Sequence, residues 1–250
     1  MCSTTPTAIF FVVTLVCTSD AFDKRIINGQ IAFDGQFPYQ ASLRTLSTNE
    51  HFCGGSIVKP TWVLTAAHCL LGLNFYKVIV GTNYANDSGV AFEVSQELFH
   101  PSYNRATRYF DVGLIKTKTS IAYTNKINRI ALATSLSLFD YNAVVSGWGL
   151  TSYPSNTSSF ELRWLKTERI SHFICQLYAS RILYTINPSQ LCTITNAAGV
   201  CLGDSGSALV ANGKQIGIVS QSIPCAVGFP DIYTNVPYVF IWISSSIMNP

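Results

Sequence analysis

Ser205 stands in the run Gly199-Val200-Cys201-Leu202-Gly203-Asp204-Ser205-Gly206-Ser207-Ala208-Leu209. A serine between glycines, after an aspartate and before an apolar stretch, reads as a tight turn that presents one hydroxyl. Glycine reaches backbone conformations closed to other residues, so the N–H groups of Gly203 and Ser205 can face one point. Two convergent donors beside a serine oxygen form an oxyanion hole, which stabilises the charge that develops in acyl transfer. A plain Gly/Asp/Ser turn would use the same letters. Reading Ser205 as a nucleophile therefore depends on a base, an orienting group and a route to activation elsewhere.

The chain has 250 residues, enough for a large domain with a proper core. Charged residues make up 12% and hydrophobic ones 48%, which argues against disorder and for a well-buried globular protein. The formal net charge of +3 comes without a basic run or aromatic-basic interleaving, so nucleic acid is not an expected partner.

Ala8 to Cys17 is a short apolar run followed by Thr18, Ser19 and Asp20. It is too short to span a bilayer and suits the apolar region of a secretory signal peptide, expected over residues 1–19. Its first residues carry no Lys or Arg, a mild departure from the usual pattern. Residues 20–25, ending in Lys24-Arg25, then precede Ile26-Ile27-Asn28-Gly29. A basic residue before an apolar pair and a turn is a site that a trypsin-like protease could cut, so 20–25 reads as a very short pro-segment. No other apolar run is long enough for a membrane anchor, and the expected location is extracellular.

Two of the eight cysteines, Cys2 and Cys17, fall in the expected signal, leaving Cys53, Cys69, Cys175, Cys192, Cys201 and Cys225. An even number in a secreted chain implies disulfides, with fifteen possible connectivities for six cysteines. Neighbourhood along the chain suggests the pairs 53–69, 175–192 and 201–225. There is no CxxC and the histidines are scattered, so no metal is expected.

Short apolar or alternating runs fill residues 37–80, 90–99 and 112–116, separated by Gly, Pro, Asn and Ser. The style repeats at 142–148, 162–169, 190–193, 207–211, 214–220 and 231–235. Closely spaced short strands of this kind predict an all-β protein of two lobes, with residues 125–135 as an unpatterned connection. Ser171 to Ser180 reads as a short helix, and so does the tail 237–247, where Tyr238, Ile241 and Trp242 fall at helical spacing and are expected to dock on the body.

Four segments together, Arg25-Ile-Ile-Asn-Gly, Leu64-Thr-Ala-Ala-His68-Cys69, Asp111-Val-Gly-Leu-Ile and Gly203-Asp-Ser205-Gly, resemble the chymotrypsin-like (trypsin-fold) serine peptidases. Phe37-Pro-Tyr, Cys53-Gly-Gly-Ser and Ser146-Gly-Trp-Gly extend the resemblance from Ile26 to the end. The order His, Asp, Ser is the one expected of that fold. The resemblance implies two packed six-stranded antiparallel β-barrels, about 26–125 and 126–236, with a C-terminal helix. It implies Ser205 as nucleophile, His68 as its general base and Asp111 as the group that orients the imidazole. Ser220 would support that aspartate from behind. His51, His100 and His172 have no such context and read as structural. Cutting after Arg25 would free the Ile26 ammonium to turn inward and pair with Asp204, ordering the oxyanion hole and specificity pocket.

In such peptidases the residue six before the nucleophile, here Gly199, lies at the base of the S1 pocket. It carries no charge, so ordinary trypsin specificity is not expected. Asp231 stands where many relatives have glycine on the pocket wall, and Ser222 lines the other wall. A base glycine with a wall aspartate resembles the brachyurins, collagenolytic serine proteases of crustaceans and insects that accept both apolar and basic P1 residues. Ser207-Ala208 in place of Gly-Pro and Gln221 in place of a tryptophan are departures. The loop from Gly81 lacks the acidic pair of calcium-binding trypsins. Asn86-Asp-Ser88 and Asn156-Thr-Ser158 are glycosylation sequons.

The resemblance thus implies a secreted, zymogen-activated endopeptidase, degradative in type because no further domain precedes it. Expected partners are protein or peptide substrates, an activating trypsin-like protease and protein inhibitors, with the enzyme a monomer. A catalytically silent homologue that acts by binding is the alternative, but such proteins usually lose a triad residue and all three are present.

Overall fold

A computed structural model describes residues 29–72, 75–86, 89–137, 139–150, 159–196, 198–222, 225 and 228–249. The expected signal and pro-segment, with Arg25 and Ile26, lie outside the described residues, as does Asn156. In chain order the first half holds β1 (Gln30–Ile31), β2 (Gln40–Thr45), β3 (His51–Lys59), β4 (Trp62–Thr65), the one-turn helix α1 (Ala67–Leu70), β5 (Tyr76–Val80), β6 (Val90–Phe99) and β7 (Gly113–Thr117). The second half holds β8 (Ala131–Leu132), β9 (Asn142–Gly147), β10 (Arg163–Ile170), α2 (His172–Ser180), β11 (Gln190–Ile194), β12 (Ala208–Ala211), β13 (Lys214–Gln221), β14 (Asp231–Asn235) and α3 (Val236–Met248).

The order β2-β3-β4-β7-β6-β5 closes into an antiparallel barrel of six strands. The order β10-β11-β14-β13-β12-β9 closes a second, because β9 also pairs with β10. Closure removes the sheet edges that would otherwise present unpaired backbone. β1 crosses to pair with β10 of the second barrel, and β8 adds a two-residue parallel pairing to β13. The connecting stretch 125–135 therefore carries one short strand where the sequence shows no pattern; two residues are too few to register a period.

Alternation explains the first barrel's interior. Ala41 and Leu43 of β2 join Ile57, Val63, Val78 and Val80 in its core. Ser42 and Arg44 occupy the opposite face of the strand and are buried too. Where the barrels meet, polar side chains satisfy one another. Ser146 Oγ donates to Gln40 Oε1 at 2.8 Å, Gln40 Nε2 to Ser207 Oγ at 3.1 Å, and Ser56 Oγ to Gln215 Oε1 at 2.7 Å. The departure at Ser207 has a use here, since its hydroxyl oxygen accepts the hydrogen bond from the Gln40 amide. It also fixes Gly54 opposite, where an added Cβ would lie 2.0 Å from Ser207 Oγ.

The tail is helical as expected, but its docking face differs. Val236, Val239 and Ile243 are buried, Trp242 is partly so, and Tyr238 and Ile241 face outward. Val236 to Ile243 is apolar almost throughout, so periodicity in the letters cannot choose a face. Packing chooses it, and each fully buried aliphatic side chain contributes about 1.5–3 kcal/mol.

Candidate active site

β4 ends at Thr65 and β7 begins at Gly113, and these two residues are paired neighbours. The chain leaving β4 turns through α1, which carries His68 and Cys69, while Asp111 stands two residues before β7. Antiparallel pairing therefore puts His68 and Asp111 at one end of the first barrel. The Cys53–Cys69 disulfide ties α1 to β3. The other two disulfides join Cys175 to Cys192 and Cys201 to Cys225, so all three pairs follow the neighbourhood expectation.

Asp111 is fully buried, and both its carboxylate oxygens accept hydrogen bonds. Its Oδ1 accepts the His68 backbone N–H at 2.9 Å, and its Oδ2 lies 2.7 Å from His68 Nδ1. The same Oδ2 accepts from Ser220 Oγ at 2.6 Å, and the Asp111 carbonyl accepts from Thr234 Oγ1 at 2.7 Å. Ser220 reaches it because the register of β13 on β14 shifts between Val219 and Gln221, a bulge that re-aims the intervening side chain. With Nδ1–H bound to a carboxylate, the neutral imidazole carries its lone pair on Nε2, the form a general base requires.

The Ser205 turn is brought to this end by backbone contacts on both sides. Gly54 N–H donates to the Ser205 carbonyl at 2.7 Å, and Gly206 N–H to the Val219 carbonyl at 2.8 Å. Gly206 has φ +83°, and an added Cβ would lie 2.2 Å from Thr65 Oγ1 and 2.4 Å from the Gly54 carbonyl. The turn is thus wedged between the strand that carries Ser220 and the segments flanking His68. No hydrogen bond joins the Ser205 hydroxyl to the imidazole in this arrangement.

Asp204 is fully buried, with Oδ1 accepting from Gly149 N–H at 2.8 Å and Oδ2 from Cys201 N–H at 2.9 Å. Burial pushes its carboxyl up to about 6 against those two bonds. The motif Ser146-Gly-Trp-Gly follows from this contact. A Cβ at Gly147 would lie 2.1 Å from Asp204 Oδ1, and one at Gly149 2.3 Å from Oδ2. Among the described residues no cation pairs with it.

Asp231 is 5% exposed and accepts the Val200 N–H at 3.0 Å. Burial pushes it up to about 8, the Val200 bond opposes, and the Asp204 charge adds to the rise. Its carboxylate lies against Gly199, where an added Cβ would sit 2.8 Å from Oδ2. Ser222 is half-buried, 3.6 Å from Cys225 Sγ. Asn86 is exposed in the turn after β5, although Ser88 of its sequon lies outside the described residues.

Two cations near this centre have no signal in the local sequence. Arg108, held at φ +55°, brings Nη1 to 3.9 Å from Asp111 Oδ2. Arg44 is fully buried behind the Ser205 turn, donating to Ser42, which meets His51 Nδ1, while His51 Nε2 reaches the Gly203 carbonyl at 2.8 Å. The His51 bond to Gly203 joins residues 152 apart in the chain. His100 is stacked on Phe110 at 4.7 Å.

Comparison with known proteins agrees with this geometry. Residues 26–243 match the Trypsin family. The chain is 36% identical over 225 residues to Chymotrypsin-2 of Vespa crabro, covering 88% of this chain and 99% of that one. It is 32% identical to Trypsin delta of Drosophila melanogaster, covering 90% and 89%, and 33% identical to Hypodermin-B of Hypoderma lineatum, covering 90% and 88%. Among solved structures, neuropsin, a serine protease of mouse brain, superposes with a TM-score of 0.80 at 28% identity, over 88% of this chain and 98% of that one. Fold, shared sequence and the carboxylate-bound histidine beside a glycine-framed serine lead to one conclusion: the chain belongs to the trypsin family and is a serine endopeptidase.

Proposed function

We propose that this is a secreted digestive or tissue-degrading endopeptidase, made as a zymogen and activated by cleavage after Arg25. Its triad is Ser205, His68 and Asp111. The observation that carries the assignment is the pair of hydrogen bonds between His68 and Asp111, one through the backbone N–H and one through the ring, on a carboxylate also held by Ser220. Ser205 Oγ attacks the scissile carbonyl carbon as its proton passes to His68 Nε2. The carbonyl electrons move onto oxygen, facing the N–H groups of Gly203 and Ser205. Collapse expels the amine, which takes the proton from His68 and leaves an acyl-Ser205 ester. Water then repeats the sequence in reverse and releases the acid.

Specificity follows from the pocket formed by Gly199, Ser222 and Asp231. With its carboxyl raised, Asp231 is largely neutral at pH 7 and suits an apolar P1 side chain. A P1 lysine or arginine favours the ionised form and is admitted as well, which gives a broad, chymotrypsin-leaning preference. Proteins are the substrates, other trypsin-like proteases the activators, and Asn86 and Asn156 the glycan acceptors.

The test is a P1 profile and labelling by a serine-directed phosphonate, before and after limited trypsin treatment. Labelling of Ser205 and cleavage only after treatment are expected, and Arg25→Gln should be secreted, folded and nearly inactive. Full activity in that variant overturns the zymogen reading. No labelling in a sample with a correct Ile26 terminus overturns the enzyme assignment to Ser205.

A further inference from the structure

We propose that Arg44 is a positioning residue for the oxyanion-stabilising turn, acting through Ser42 and His51 on the Gly203 carbonyl. The inference rests on the reading of Gly203 and Ser205 as the oxyanion donors. Chemistry sets the direction of every bond in the relay. A carbonyl can only accept, so His51 Nε2 carries the proton directed at Gly203 O, 2.8 Å away. In a neutral imidazole Nδ1 is then the acceptor, and the Ser42 hydroxyl donates to it across 2.8 Å. Arg44 Nε can only donate, and it gives its proton to Ser42 Oγ at 2.9 Å. A hydroxyl that accepts from a cation is a stronger donor, so polarisation runs from Arg44 towards the turn.

The strand geometry assembles the relay. Ser42 and Arg44 are two apart on one face of β2, and β2 pairs Arg44 directly with His51 of β3. Arg44 is fully buried, with Nη2 donating to the Tyr84 carbonyl at 2.8 Å, so its position is fixed at both ends of the guanidinium. Burial holds His51 neutral, down to about 4; the Gly203 bond opposes this and the Arg44 charge assists it.

What the relay grips is the peptide between Gly203 and Asp204. Its carbonyl is bound by His51 and its N–H donates to the Cys201 carbonyl at 3.0 Å. That peptide lies between the two donors, Gly203 N–H and Ser205 N–H, so its rotation would swing both. Gly203, at φ +98°, has no side chain to resist such a rotation.

The experiment uses full-length protein activated with trypsin and four variants: Arg44→Met, Ser42→Ala, the double variant, and Ser42→Thr. We expect Arg44→Met and Ser42→Ala each to lower kcat about tenfold with KM within about twofold, a fraction of the effect of deleting an oxyanion donor outright. Binding of a peptide aldehyde, whose adduct places an oxyanion in the site, should weaken in parallel. The double variant should be no worse than the single ones, and Ser42→Thr, which keeps the hydroxyl, should restore kcat. Nitrogen chemical shifts of His51 should show the Nε2–H tautomer in the parent and a mixture in Ser42→Ala. Parental kcat in Ser42→Ala, or losses that multiply in the double variant, overturns the relay. Should Arg44→Met not fold, Ser42→Ala and Ser42→Thr decide, because both leave Arg44 in place. An activated parent that does not label with a serine-directed phosphonate fails at the underlying assignment and takes the relay with it; labelling with unchanged kcat in Ser42→Ala removes the relay alone.

Discussion

Asp204→Asn, made in the uncleaved and the cleaved chain, tests whether the buried carboxylate is the seat of activation. In the uncleaved chain burial raises the Asp204 carboxyl from 3.8 to about 6. A carboxyl whose folded value lies above its unfolded one contributes stability that is full below the unfolded value and is lost as pH rises through the folded one. At about 1.4 kcal/mol per pH unit, the parent should lose roughly 2 kcal/mol relative to Asp204→Asn between pH 4 and pH 7. The asparagine amide must turn one N–H₂ group towards the N–H of Gly149 or Cys201. That cost is independent of pH and cancels in the comparison. Asp231, raised, and His51, lowered, also titrate in the wider range, so the difference between parent and variant is the quantity to follow, not the parent alone. If cleavage places the Ile26 ammonium beside Asp204, as the zymogen proposal requires, the sign reverses and the parent should gain on the variant as pH rises. The assay is urea denaturation at several pH values from 4 to 7.5, in a Ser205→Ala background to prevent self-digestion. A parent–variant difference that does not move with pH, or that has the same slope in both forms, refutes the reasoning.

Three further outcomes follow from neighbouring contacts. Ser220→Ala removes the 2.6 Å bond to Asp111 and leaves a buried carboxylate oxygen short of a donor, a loss of about 1–3 kcal/mol that steady-state kinetics should register in kcat/KM and melting should register in Tm. Gly147→Ala and Gly149→Ala drive a methyl to within 2.1 and 2.3 Å of Asp204, and each should cost about 1–3 kcal/mol of stability and most of the activity after trypsin treatment. Asp231, raised to about 8, should ionise more fully as pH climbs, so the ratio of Arg to Phe cleavage in a peptide library should increase from pH 6 to pH 9 and lose that dependence in Asp231→Asn. The same group contributes stability below about 4 that is lost as pH rises through about 8, so Asp231→Asn should gain on the parent in alkaline urea melts.

Strands were legible where apolar residues alternate or cluster between turn formers, as in 76–80, 90–99 and 231–235. The three disulfides were legible because each joins near neighbours in the chain, 16, 17 and 24 residues apart. Ser205, His68 and Asp111 announced themselves through short motifs whose flanking residues are themselves constrained by close contacts. The relay through Arg44 was not legible. Arginine in a strand reads as an exposed, solvated residue, and only tertiary contacts such as those to Ser42 and the Tyr84 carbonyl bury it. β8 was hidden by its length, and the docking face of α3 by having too many apolar residues rather than too few.

The contact between Gly199 and Asp231 ties two positions 32 residues apart into one unit of inheritance. Any side chain at 199 must enter the volume that the Asp231 carboxylate already fills, its first carbon arriving 2.8 Å from Oδ2. A single change to aspartate at 199 would set two acids against each other in a space built for one. A single change of Asp231 to glycine would empty the cleft of its buried carboxylate altogether. An acidic residue at 199 therefore requires the Asp231 side chain to shift or be replaced, so each half-step is disfavoured by itself. Swapping residues between related enzymes one at a time would undervalue both sites, whereas exchanging them as a pair would move the negative charge from one wall of the cleft to its floor.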